Sequence, residues 1–183
     1  MKKLAILALL ALELAVGGCS NNFPKNSTTT TASGNWEALL SGGTGDASQL
    51  NFVTTFTVTN TVGGSNEPLT ITGFSFFNAG ACFDNFVGAS TYAGSATLNT
   101  SGTNQVTGTL DFTVVSVKPP GNTLSLTGNL TGTSNGTPTT TGTLSNGVVS
   151  GTWTLTGGQG DPSCSVPQGT FIMCQGTNTC TAP

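Results

Sequence analysis

The chain has 183 residues, of which 6% are charged: four Lys or Arg, seven Asp or Glu, and no His, for a formal net charge of −3. So few cations cannot neutralise a phosphate backbone, which excludes nucleic acid as a partner. The lack of His removes the usual general base, and the length fits one domain with a leader and a tether.

Lys2 and Lys3 precede an apolar run from Leu4 to Val16 that only Glu13 interrupts, and Gly17 and Gly18 follow it. This is the layout of a secretory signal, too short and wrongly flanked for a spanning helix. The segment Val16-Gly17-Gly18-Cys19 resembles the lipobox of bacterial lipoproteins. The resemblance implies cleavage before Cys19, diacylglycerol on its thiol and an acylated amino terminus. Residues 1–18 are then the signal peptide, and the membrane is a partner through the N-terminal lipid. Two or three acyl chains make a stable anchor. Ser20 stands where the family's inner-membrane retention signal places Asp, so the outer membrane is expected, with the domain in the periplasm or at the cell surface. Residues 19–33 hold Asn, Ser, Pro24 and the run Thr28–Thr31, and read as the lipidated Cys with a solvated tether.

From Gly34 to Pro183 the apolar period is two, predicting a single β domain. Leu50, Phe52, Phe56 and Val58 alternate with Thr, as do Tyr92, Ala96 and Leu98. Val106, Leu110, Phe112 and Val114 follow the same rule, then Leu124, Leu126 and Leu130, then Val149, Trp153 and Leu155. Thr suits the wet face because it is β-branched and hydrates well. In Leu69–Phe77 the parity changes between Ile71 and Phe74, so Gly73 is expected to mark a bulge. Turns are expected at Thr100-Ser101-Gly102-Thr103, at Lys118-Pro119-Pro120-Gly121 and at Ser145-Asn146-Gly147-Val148. The last reads as a two-residue type I′ hairpin that sets Leu144 opposite Val149. Together these segments predict an antiparallel up-and-down barrel of about eight to ten strands, with a β-sandwich as the alternative.

A short echo recurs at Gly108, Gly128, Gly142 and Gly151, each glycine lying two residues before a large apolar side chain and on its face. Either these glycines permit the tight coiling of a small barrel, or they leave room for an apolar guest. The segment Gly34-Asn35-Trp36 resembles the G-x-W that opens strand one of the calycins, the lipocalins and avidins, which implies a barrel whose Trp closes one end. Lipocalins pack an Arg on that Trp, and this chain has none. The whole is also similar in style to small Thr/Gly-rich bacterial lipoproteins, a likeness that carries no activity.

Once Cys19 carries lipid, Cys82, Cys164, Cys174 and Cys180 remain, an even set that predicts two disulfides in an exported chain. They contain no C-x-x-C pair, so no metal site is expected. Phe171 and Met173 share the inward parity of the last strand, leaving Cys174 outward, where Cys180 can fold back to it. Cys82 and Cys164 lie in two long connections. The expected pairs are Cys82–Cys164 and Cys174–Cys180, with Cys164–Cys174 as the alternative.

No catalytic residue and no cofactor are expected. A Ser-Lys dyad would need Lys25 in the tether or Lys118 beside two prolines, poor places for a depressed pKa. Asp84, Asp111 and Asp161 are the carboxylates open to glycosidase chemistry or calcium binding, but Asp111 has outward parity and the others lie in loops. The expected function is therefore non-enzymatic: an anchored envelope lipoprotein whose barrel holds a small apolar or glycan-like ligand among Phe52, Phe56, Tyr92 and Phe112. The alternative is an adhesin-like or structural interaction module. An internal cavity lined by those rings favours the first; a solid core with an exposed aromatic patch favours the second.

Overall fold

A computed structural model of the chain describes residues 29–42, 50–60, 64–78, 82–83, 90–117, 121–136, 140–157, 164, 168–176 and 180. The strands are β1 (Thr30–Ser41), β2 (Asn51–Asn60), β3 (Glu67–Pro68), β4 (Thr70–Asn78), β5 (Ser90–Thr100), β6 (Gln105–Ser116), β7 (Thr123–Ser134), β8 (Gly142–Thr156) and β9 (Gln168–Gln175). They form one nine-stranded sheet in the order β3-β5-β6-β7-β8-β9-β1-β2-β4. Only Leu69 separates β3 from β4, so one run of chain pairs first with β5 and then with β2, and the two ends of the sheet meet along it. The result is a nearly closed antiparallel barrel in which β5 to β9 follow in sequence order and β9 pairs with β1. A sandwich would need two facing sheets, and this is one.

The period-two pattern does what it should: inward residues form level rows around the barrel. One row runs Leu98, Gly108, Leu130, Val149, Met173, Ala38 and Phe52 through successive register pairs. The next runs Ala96, Leu110, Gly128, Gly151, Phe171 and Leu40. All the large members of these rows are buried. Outward positions on β5, β6 and β7 are largely Thr, and pairs such as Thr97 and Thr109 share a hydroxyl hydrogen bond of 2.9 Å across the strands.

Three local expectations meet the coordinates differently. The β5–β6 turn closes with Asn104 at φ 62°, its N–H donating to the Ser101 carbonyl at 3.0 Å. In β4 the register against β2 slips between Thr55 and Phe56, leaving Thr72 unpaired beside Gly73, which is the expected bulge. The Asn146-Gly147 hairpin does not form. β8 runs straight through it, and Asn146 (φ 54°) and Gly147 together oppose Gly132 as a bulge. Leu144 consequently pairs with Ser134 rather than Val149. The cause is tertiary: β8 before the bulge pairs in parallel with β1 through Gly142 and Thr143, a contact a hairpin would remove. The Gln175 side chain holds the bulge in place. Its amide donates to the carbonyls of Ser33 (2.9 Å) and Leu144 (3.0 Å) and accepts from Gly147 N–H (3.1 Å).

The barrel also starts earlier than expected. Thr30 and Thr31 pair with β2 on one side and β8 on the other, and Thr30 is buried, so residues 30–33 belong to the barrel rather than the tether.

The inward glycines mark close approach of backbones. A Cβ on Gly108 would run into the Thr97 carbonyl oxygen, and one on Gly151 into that of Thr127. At Gly128 it would lie 2.8 Å from the tip of the Phe171 ring. These glycines hold no vacant space, which decides between the two readings of the echo in favour of coiling. Gly108→Ala and Gly151→Ala should each destabilise the fold by about 1–3 kcal/mol through overpacking. Gly102→Ala, with no atom within 4 Å of its Cβ, should stay within roughly 0.5 kcal/mol of the parent. Urea unfolding midpoints of the three variants check the contrast.

Candidate functional site

The rings proposed to line a cavity are packed on one another. Phe52 and Phe112 stack at 5.5 Å between centroids, and Phe56 stacks on Trp36 at 5.1 Å. Phe52, Phe56 and Phe112 are 0–1% exposed and fill the core. Tyr92 differs: its ring stacks on Phe74 at 5.3 Å, yet 39% of the residue is exposed. It has the inward parity expected of it, but the barrel is open beside it. Trp36 is fully buried in the middle of β1, opposite Thr54 and Gln175, rather than at a barrel mouth.

The two ends of the barrel differ. At the near end, where β1 begins, polar groups are buried. Thr30 shares a hydroxyl hydrogen bond with Thr100 and donates to the Ser134 hydroxyl at 3.5 Å, which in turn accepts from Gly136 N–H at 3.2 Å. At the far end, where β1 finishes and β5 begins, the surface is apolar. The exposed large hydrophobic residues of the described chain are Phe77 (61%), Val117 (59%), Tyr92 and Val115. Phe77 is the penultimate residue of β4, Tyr92 lies near the start of β5, Val115 near the end of β6 and Val117 just beyond it, so all four lie toward the far end.

Two of them have a cause in the strand register. Phe77 is the unpaired residue of a second slip against β2, between the pairs Asn51–Asn78 and Phe52–Phe76. Val115 follows inward Val114 and so must face out, paired with Thr91. A doubled apolar residue in an alternating strand is the sequence signal for such a patch, and Phe76-Phe77 and Val114-Val115 both carry it. The cavity reading of the sequence passed over them.

Cys82 and Cys164 are bonded with Cα atoms 5.4 Å apart, and Cys174 and Cys180 with Cα atoms 5.6 Å apart. The first ties two connections at the far end. There Asn122 donates to the Cys82 carbonyl at 2.6 Å and Phe83 stacks on Phe76 at 4.8 Å. Cys174 faces outward beside Glu37, and Cys180 covers it, so both are buried although neither enters the core.

Asp111 is exposed and accepts from the Thr127 hydroxyl at 2.9 Å. Glu67 accepts from Ser65 at 2.6 Å on β3, which flanks β5 on the side away from β6. No cluster of three metal-ligating side chains occurs among the described residues. Cys19 and its flanking glycines, Lys25, Lys118, Asp84 and Asp161 lie outside the described residues. A shallow cleft of about 330 Å³ opens at the near end between β1, β8 and β9, lined by Ser33, Gly34, Asn35, Asn146 and Gln175 among others. It holds no charged side chain. No family model, curated protein or solved structure matches the chain.

The far-end disulfide closes a span of 82 residues, and the chain-entropy model gives such a loop roughly 4–5 kcal/mol, against about 2 kcal/mol for the six-residue span. The double variant Cys82→Ala/Cys164→Ala should therefore lose far more stability than Cys174→Ala/Cys180→Ala. Denaturant titration of the two, each with its remaining disulfide intact, measures the difference.

Proposed function

We propose that this protein is a non-catalytic, lipid-anchored module of the bacterial envelope that binds a partner at the far end of its barrel. The observation that carries the reading is the gathering of Phe77, Tyr92, Val115 and Val117 at one end of a chain otherwise clothed in Thr, Ser and Asn. Large apolar side chains left exposed at one end of a domain mark an interaction site. The ligand-in-barrel reading is weaker, because Phe52 and Phe112 stack on each other, Phe56 stacks on Trp36, and the inward glycines leave no room.

The anchor rests on the lipobox resemblance at Cys19 and agrees with two disulfides, which persist in oxidising compartments. Thr30 enters the barrel at the near end, so a lipid upstream would leave the apolar end pointing away from the membrane.

Cys19→Ser should abolish incorporation of a palmitate analogue and release the chain from the membrane fraction. Labelling of the variant equal to that of the parent would remove the anchor from the reading. For the partner, a photo-crosslinking residue at Val117 should give a discrete adduct in intact cells. The same residue at exposed Thr131, on the near half of β7, should give none. Equal yields from the two positions would count against a far-end site.

A further inference from the structure

Among the described residues the barrel closes only part of the way. β3 pairs with β5 through Glu67–Ala96 and Pro68–Ser95, and Leu69 N–H donates to the Gly94 carbonyl at 2.9 Å. Beyond that bond the chain turns onto β2 as β4. Among the described residues nothing pairs with β5 on the seam side of Ser90–Ala93. Peptide groups alternate along a strand. Since the Gly94 carbonyl points into the seam, so do the N–H and C=O of Tyr92 and Ser90, while those of Thr91 and Ala93 face β6.

The two edges of the seam are not equivalent. β4 carries two register slips, and such bulges blunt an edge against pairing. Ser90–Ala93 runs in unbroken register with Ser116–Thr113 and carries no Pro, no charge and no bulge, the devices that ordinarily protect an exposed edge. Its inner side is backed by the stacked rings of Phe74 and Tyr92, and its outer side by Val115 opposite Thr91.

We propose that the Ser90–Gly94 edge of β5 is a strand acceptor, to which an extended, uncharged segment of a partner protein adds by main-chain hydrogen bonds at Tyr92 and Ser90. N–H and C=O groups in register, with no partner strand among the described residues, specify an extended backbone as the occupant. The apolar, uncharged surroundings specify its side chains, since a charge placed there would be desolvated with no described counter-charge beside it. This proposal rests on the far-end reading and names the partner's chemistry.

The test uses the full mature chain in detergent and a neutral, end-capped peptide of alternating Thr and Val, about eight residues long. A version with Pro at every second Thr is the control. The expected result is binding tighter than roughly 1 mM, no binding of the Pro version, and new protection of the Tyr92 amide against hydrogen exchange. Ser90→Pro removes a seam-side N–H without touching the bonds to β6, and Pro is tolerated at the first residue of a strand. It should weaken the peptide by about tenfold.

Equal binding to Ser90→Pro with no protection at Tyr92 would mean docking through side chains alone; it would overturn strand addition and leave the far-end site standing. Absence of binding at that concentration would overturn strand addition as well. Should the Pro variant fail to fold, the Tyr92 amide of the parent decides the matter.

Discussion

The tip of the Phe171 ring lies where a side chain on Gly128 would have to be, and the rest of the barrel follows from that substitution of ring for Cβ. A small barrel has little interior, and rings fit into it only where neighbouring strands contribute nothing. Gly128 and Gly151 are paired to each other across β7 and β8; Gly128 leaves room for the Phe171 ring, and Gly151 lets the β7 backbone at Thr127 come close. The next level repeats the device: a Cβ on Gly169 would meet the indole of Trp153, whose Nε1 donates to the Ser41 carbonyl at 2.9 Å. Large and absent side chains are thus complementary within a level, and interior packing density follows from the pairing rather than from any one residue. Space filled in this way is not space for a guest.

With charge so scarce, junctions that other proteins close with ion pairs are closed here by neutral groups. The clearest is the fork where β9 ends and β1 reaches β8. Gln175 bonds three backbone groups on two strands, and Gly176 N–H reaches the Asn35 carbonyl at 2.8 Å. Neutral hydrogen bonds of this kind contribute modestly when made, but leaving buried carbonyls without a partner costs more, so the amide matters chiefly by preventing loss. The same logic accounts for the hydroxyls of Thr30, Thr100 and Ser134 at the near end, where strand ends would otherwise bury unpaired groups.

Strand number, faces and the β4 bulge were legible in the sequence because they rest on a local period that every residue reports. The Asn146-Gly147 bulge was not. That dipeptide has the same preference for positive φ in a hairpin turn as in a bulge, and only the parallel contact of Gly142 and Thr143 with β1, far away in sequence, chooses between them. The early start of β1 was hidden likewise, since Thr30 and Thr31 look like tether until β2 and β8 are set on either side. For the site, aromatic residues with inward parity are the residues a core consumes. The useful signal was the opposite one, an apolar residue placed on the wrong face. Of the four rings named, only Tyr92 belongs to the exposed set, and it does so because closure stops before reaching it.

That incomplete closure has a cause in chain length and register. The run from Glu67 to Asn78 must serve both β5 and β2, and it spends its first residues on β5 and the remainder on β2. Had β4 continued along β5, Phe76 and Phe74 would lose their places against Phe52, at 6.1 and 5.0 Å between ring centroids. The aromatic cluster thus draws β4 toward β2, and leaves the start of β5 with no seam-side partner among the described residues. Core packing and the open seam are two consequences of one choice of register, so a variant that closed the seam would have to give up part of the core. Among the described residues the open edge of β5 therefore lies at the same end of the barrel as the exposed apolar side chains.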